Sequence, residues 1–245
     1  MPVKFENYTH SFLLNGKHVF APSDLGRRIG QDIKERVEQA YDFPEFYYHL
    51  RKGGHVAGLH AHRDNAHFCK IDLENFFYSI ARNRVVRSLK QIGVHRAPHY
   101  GKWSCVKNPY TDPRYALPYG FVQSPILATL VLANSAVGAA LKDISKEVTL
   151  AVYVDDISMS SNDQALLQQK FDELAQAVHN ADFGMNTGKT VLPTSEMSVF
   201  NCNLRHGMTA VTRERIAEFH KPAPTAESIA GFERYCASVE QGNSS

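Results

Sequence analysis

Two short runs rich in β-branched residues, Val148–Val154 and Ile157–Met159, are separated by nothing but Asp155 and Asp156. Such runs read as strands. Strands this close in sequence fold back on each other, which commits the segment to a hairpin with both carboxylates at an exposed tip. Like charges held together repel, and a divalent cation relieves that repulsion. Mg²⁺ binds through a few carboxylates plus substrate phosphates, so an Asp-Asp hairpin tip reads as a Mg²⁺ site. Asp is also a common turn residue, and alone the pair suits an ordinary polar turn equally well.

A second carboxylate stands in a matching setting. His67-Phe68-Cys69-Lys70-Ile71-Asp72-Leu73 is a short apolar run with Asp72 near its end. An Asp at the end of one strand can meet a hairpin-tip Asp on its neighbour. Asp72, Asp155 and Asp156 would then hold two metal ions roughly 3.5–4 Å apart, the arrangement that supports in-line displacement at phosphorus. Asp72 also suits the start of the helical stretch that follows, where the helix dipole favours a carboxylate. Both roles can hold at once.

Between these acids lies Leu117-Pro118-Tyr119-Gly120-Phe121-Val122-Gln123-Ser124-Pro125. Ser124 reads as an N-cap and Pro125 as the first helical residue. Ile126–Leu141 is apolar nearly all round, which predicts one buried helix. A well-capped core helix accounts for this segment without any further role.

Taken in order, these segments resemble the motifs of reverse transcriptases. Ile71-Asp72-Leu73 with Phe77-Tyr78 is similar to motif A, and Leu117-Pro118-Tyr119-Gly120 with Ser124-Pro125 to motif B. Tyr153-Val154-Asp155-Asp156 is similar to motif C, and Gly184-Met185-Asn186-Thr187-Gly188-Lys189-Thr190 to motif D. The resemblance covers roughly residues 45–205. Its style is that of bacterial enzymes: retrons, group II introns and stand-alone, defence-associated proteins.

The resemblance implies an RNA-directed DNA polymerase using two Mg²⁺ ions, with Mn²⁺ as a substitute. Its partners would be an RNA template, a DNA product or primer, and dNTPs. For a stand-alone enzyme it further implies a dedicated noncoding RNA and a role in anti-phage defence. Asp72 and Asp155 would ligate both ions, with Asp156 assisting and the Leu73 carbonyl joining them. Phe77 falls where the family places the bulky residue that excludes a 2′-hydroxyl, the group that separates RNA from DNA. Plain core packing explains the same phenylalanine. Tyr119 and Gly120 would lie near the incoming nucleotide, although relatives often carry Gln where Tyr119 stands. Tyr153 and Ser124 would face nucleic acid. Lys189 matches a lysine proposed to protonate the leaving pyrophosphate, and equally suits a solvated loop.

Relatives also place Lys or Arg on a fingers hairpin to bind the triphosphate. Arg51-Lys52-Gly53-Gly54 through Arg63 is the matching stretch, with Gly53-Gly54 as its turn. Lys52 and Arg63 are the candidates there, beside Arg51. His55, His60, His62 and His67 raise a metal site as an alternative. His60 and His62 would alternate on a strand, and no Cys lies at zinc-type spacing.

Net charge is only +2, but its distribution is uneven. Asn75 through Thr111 holds no Asp or Glu, yet carries Arg82, Arg84, Arg87, Lys90, Arg96, Lys102 and Lys107. His95, His99, Tyr100 and Trp103 interleave with them. Basic residues neutralise phosphates and aromatics stack on bases, so Arg84, Arg87 and Trp103 are candidate nucleic-acid contacts. A solvated helix face with Val85, Leu89 and Ile92 opposite explains the charges as well.

The remaining pattern gives an organisation. Pro22-Ser23-Asp24 opens a helix that Asp42-Phe43-Pro44 ends. A basic helix is expected near 82–92, then a loop through Pro113, and an amphipathic helix over Asn162–Asn180. Strands follow at Val191 and Met197–Leu204. Alternating periods of 2 and 3.6 predict an α+β fold of split βαβ, ferredoxin-like type, which the resemblance implies is a polymerase palm. Expected domains are an N-terminal helix and fingers (1–66), fingers and palm (67–205) and a short thumb-like helical segment (206–245). Thr212–Phe219 and Ala226–Val239 would form its helices. So small a thumb implies help from RNA, an accessory protein or self-association.

Cys69, Cys105, Cys202 and Cys236 are far apart, which predicts free thiols and a cytoplasmic protein. No apolar run reaches the roughly 18 residues of a membrane span, and no signal pattern opens the chain, so no membrane partner is expected. Two rivals share this sequence reading: a template-independent or protein-primed DNA polymerase on the same palm, and a non-catalytic RNA-binding palm.

Overall fold

The structure, a computed structural model, describes residues 6–244. It opens with an antiparallel ribbon of β1 (Tyr8–Leu14) and β2 (Lys17–Pro22), turned at Asn15-Gly16. Both turn residues have positive φ, the conformation of the tightest hairpins. Ser23 then caps α1 (Asp24–Ala40), its Oγ accepting the Gly26 N–H at 3.1 Å. That start and stop are the expected ones.

A 3-10 turn at Tyr48–Leu50 leads to α2 (Gly54–His62). The expected fingers hairpin is therefore a helix. Gly53 and Gly54 use their positive φ to enter it, and Leu59 and His62 are buried on its inner side. β3 (His67–Asp72) follows as predicted, then α3 (Phe76–Ser79) and the basic α4 (Arg82–Gln91). The expected loop beyond holds α5 (Ala97–Ser104) and the pair β4 (Val106–Lys107) and β5 (Tyr115–Ala116).

One long buried helix was expected next. Two helices stand there, α6 (Ser124–Ala133) and α7 (Ala136–Ile144), bent by 77°. The break falls at Asn134-Ser135, where Ser135 Oγ accepts the Val137 N–H and begins a second helix. β6 (Thr149–Tyr153), β7 (Asp156–Ser161), α8 (Gln164–Asn180) and β8 (Val191–Thr194) complete the palm pattern. β9 (Glu196–Val199), β10 (Cys202–Arg205) and β11 (Met208–Val211) then form their own sheet, before α9 (Arg213–His220) and α10 (Ala226–Glu240).

Contacts divide the chain into two compact units. The first takes residues up to Phe43, Glu74–Ala139 and Asn180–Gly184. It is mainly helical, and Phe20, Tyr78, Val106, Ala116 and Phe121 form one of its buried clusters. The second takes Pro44–Leu73, Ala140–His179 and the residues from Met185 on. Its antiparallel sheet has the order β6-β7-β3-β8. Consecutive β6 and β7 sit together while β3 lies between β7 and β8, which is the split βαβ order.

A second cluster joins Leu59 of α2, Phe68 of β3, Met197, Val199, Cys202, Leu204 and Val211 of the small sheet, and Val239 of α10. Each such side chain removed from water adds roughly 1.5–3 kcal/mol. The four thiols are free, as expected. Among the described residues no single helix is long and apolar enough to cross a membrane.

Candidate active site

The second unit assembles the acids through strand register. β3 and β7 pair so that Asp72 lies opposite Asp156, and β6 and β7 pair so that Tyr153 lies opposite Asp156. The two turn residues are therefore Val154 and Asp155, not Asp155 and Asp156 as expected. Asp156 is already the first residue of a strand. The backbone around the acids is tied down on both sides. Leu73 N–H donates to Asp155 O at 3.0 Å, and Asn186 N–H donates to Asp72 O at 2.9 Å.

Nor is the tip exposed. Asp155 and Asp156 are half-buried, and Asp72 is buried. Burial, then the charges of Asp155 and Asp72, push the Asp156 carboxyl up to about 6, against the pull of Lys70 and Lys189. Lys189 Nζ stands 3.6 Å from Asp72 Oδ2, so motif D does reach the acids. Negative charge is thus in excess here even with two lysines nearby. Among the described residues no group of three or more acids, histidines or cysteines is already arranged to hold a metal ion. What the strands present is an open, all-oxygen donor set with a charge excess. That chemistry fits Mg²⁺, which completes its shell with water and phosphate oxygens.

Three of the four histidines are engaged otherwise. His62 is fully buried between Ser160 Oγ at 2.7 Å and Ser158 Oγ at 2.9 Å, and burial pushes its pKa down to about 4. His55 reaches the Tyr235 hydroxyl and His60 the Val239 carbonyl. Tyr153 is half-buried, its ring packed among His49, His55 and Phe200 with centroids 5.4–5.8 Å away.

The first unit builds a separate aromatic corner. Phe77 is 7% exposed and meets Tyr119 edge to face, centroids 4.7 Å apart. Phe20 N–H donates to Tyr119 O at 2.9 Å, and the Tyr78 hydroxyl donates to His18 O, which pins the β1–β2 ribbon to this corner. Gly120 has φ 99°, and a Cβ there would stand 2.3 Å from Phe20 O. Only glycine fits both constraints. Lys17 Nζ donates to the Tyr119 hydroxyl at 3.1 Å and lies 4.8 Å from its ring centroid. Lys17 was not foreseen. The Asn15-Gly16 pair between apolar residues is the hairpin signal that would have found it.

Other expected site residues are corrected. Lys52 is exposed just ahead of α2, on no hairpin. Arg63 ends α2 and donates to the Gln241 carbonyl at 2.6 Å, so it fastens the C-terminal segment. Ser124 is no N-cap: Gln123 holds that position, and the Ser124 hydroxyl is buried with no hydrogen-bond partner among the described residues. Trp103 is buried in α5 and offers no free face for a base. Arg84 is half-buried, its guanidinium 4.2 Å from the Phe183 ring centroid, and burial lowers its pKa. Arg87 is exposed, as a phosphate contact requires.

A split βαβ sheet carrying three acids at the ends of adjacent strands defines a polymerase palm. The sequence profile described as reverse transcriptase (RNA-dependent DNA polymerase) matches residues 17–219, and the chain belongs to that family. No curated protein matches it significantly.

Solved structures share its fold. One is the foamy viral protease-reverse transcriptase in complex with RNA/DNA hybrid, at 19% identity and TM-score 0.50, covering 74% of this chain and 22% of that one. A foamy viral protease-reverse transcriptase with double-stranded DNA matches at 15% identity and TM-score 0.52, covering 90% and 33%. Telomerase from Candida albicans with a telomeric RNA fragment matches at 10% identity and TM-score 0.52, covering 77% and 39%. The chain thus spans less than half the length of each of these structures.

Proposed function

We propose that the protein is an RNA-directed DNA polymerase. The observation that carries this reading is the strand register that sets Asp72 opposite Asp156 beside Asp155, in a chain of the reverse transcriptase family. Asp72, Asp155, Asp156 and the Leu73 carbonyl would hold two Mg²⁺ ions, or Mn²⁺ in their place. When bound, these ions lower the pKa of the primer 3′-hydroxyl and neutralise charge on the transferring phosphate.

The protein's own groups do the rest. Asp72 keeps Lys189 at the site, where its Nζ–H can protonate the leaving pyrophosphate. Phe77 holds the motif A position whose bulky side chain would exclude a 2′-hydroxyl, which supports dNTPs as the substrates. Exposed Arg87 and Lys90 of α4 contact phosphates of the template. Beyond the chemistry, the motif style supports a bacterial, cytoplasmic enzyme that copies a dedicated noncoding RNA in anti-phage defence, helped by that RNA, an accessory protein or self-association.

Primer extension tests the reading. The purified protein receives Mg²⁺, labelled dNTPs and its co-purifying nucleic acid, beside an Asp155→Ala/Asp156→Ala control. Product that disappears with the double substitution and after RNase pretreatment is expected. Product that survives RNase would replace the reading by untemplated or protein-primed synthesis. RNA binding without synthesis would replace it by a binding role.

A further inference from the structure

Val154 stands at the catalytic turn with φ 60°. A β-branched residue is a genuine outlier there, and persists only where its surroundings over-determine it. Two of those restraints have been described: Tyr153 pairs with Asp156, and Asp155 O accepts the Leu73 N–H. A third acts on Val154 itself. Its N–H donates to His49 Nδ1 at 3.1 Å.

His49 is held firmly enough to matter. It lies in the 3-10 turn Tyr48–Leu50, which is anchored to β6: Val152 N–H donates to Phe46 O at 2.8 Å, and Tyr47 bridges to Val152. The imidazole packs edge-on against the rings of Tyr47 and Tyr153, with centroids 6.2 and 5.8 Å away. The backbone fixes where the Val154 amide proton points, so Nδ1 must present its lone pair and the ring proton sits on Nε2. The Val152 carbonyl, 3.3 Å from Nδ1, is then a neighbour and not an acceptor. Burial pushes the pKa down to about 4, which keeps the ring neutral as this geometry requires.

We infer that His49 is a positioning residue for the catalytic turn: by accepting the Val154 amide, it fixes the strained backbone from which Asp155 projects. His49 touches no substrate and no reacting atom. The inference rests on the polymerase reading for its effect on rate, but its structural content can be read separately.

Two variants divide the possibilities. His49→Phe keeps a ring and removes the acceptor, whereas His49→Asn keeps an acceptor near the Nδ1 position. Long-range ¹H–¹⁵N spectra of the full chain should show His49 protonated on Nε2 and bare on Nδ1; a proton on Nδ1 overturns the inference. Exchange of the Val154 amide should speed up by about tenfold or more in H49F and stay near wild type in H49N. Unchanged exchange in H49F also overturns it. In primer extension, H49F should lose about tenfold or more in kcat, with the dNTP KM moving less than about threefold. H49N should recover most of that loss. An H49F enzyme with wild-type kcat, or an H49N enzyme as impaired as H49F, refutes the positioning role. A wild-type protein that makes no DNA removes the polymerase reading instead, and the tautomer and exchange results then decide His49 alone.

Discussion

Replacing Asp156 with Asn should make the metal-free protein more stable while abolishing synthesis. The Asp156 carboxyl is pushed up from an ordinary 3.8 to about 6 by burial and by its acidic neighbours. That is a shift of about two units, and at 1.36 kcal/mol per unit, ionising Asp156 in the folded protein costs about 3 kcal/mol at most. The site is only half-buried, so solvent screening trims the cost to about 1–3 kcal/mol. Because the folded pKa lies above the unfolded one, the native state binds the extra proton between pH 3.8 and about 6. Stability therefore falls as pH rises through that window, and the full penalty is present above it. Asn is neutral throughout. In urea denaturation with chelator, D156N should exceed wild type by about 1–3 kcal/mol at pH 7.5, and the gap should close by about pH 4. Mg²⁺ or Mn²⁺ alone should narrow the gap at pH 7.5 by stabilising only the wild type. A D156N protein no more stable than wild type at pH 7.5, or a gain that persists undiminished at pH 4, would refute this electrostatic account.

Three further outcomes are expected. On the proposed reading of Phe77 as the sugar gate, Phe77→Val should cut discrimination between dNTPs and rNTPs by about tenfold or more in single-nucleotide incorporation. Lys17→Ala should leave the midpoint of thermal denaturation little changed, since the side chain is exposed. Gly120→Ala should cost about 2 kcal/mol or more in thermal denaturation, because the new Cβ meets the Phe20 carbonyl at a positive φ.

The acids were legible because register and side-chain alternation are written in the strands themselves. Apolar runs ending at Asp72 and flanking Asp155-Asp156 leave few ways to pair, and the observed sheet is one of them. The α1 cap at Ser23 was legible for a similar local reason. Gly53-Gly54 misled because glycine at positive φ can enter a helix as easily as turn a hairpin. The break at Asn134-Ser135 was hidden because uniform apolarity reports burial but not direction. Trp103 and Ser124 were misplaced because their burial depends on partners far away in sequence. His49 carried no local signal at all, since its role depends on an amide 105 residues further along the chain.

The core around Leu59 and Phe68 is completed by Val239 of α10, and Arg63 fastens the same region to the Gln241 carbonyl. Leu59 and Phe68 leave the ribosome well before the helix that covers them. The unit that bears the acids therefore cannot close this core until α10 has emerged. Until then its nascent form carries an uncovered apolar face, and such faces aggregate or recruit chaperones. A nonsense or frameshift lesion between Val191 and α10 would leave the catalytic motifs intact on paper and the protein unable to close around them.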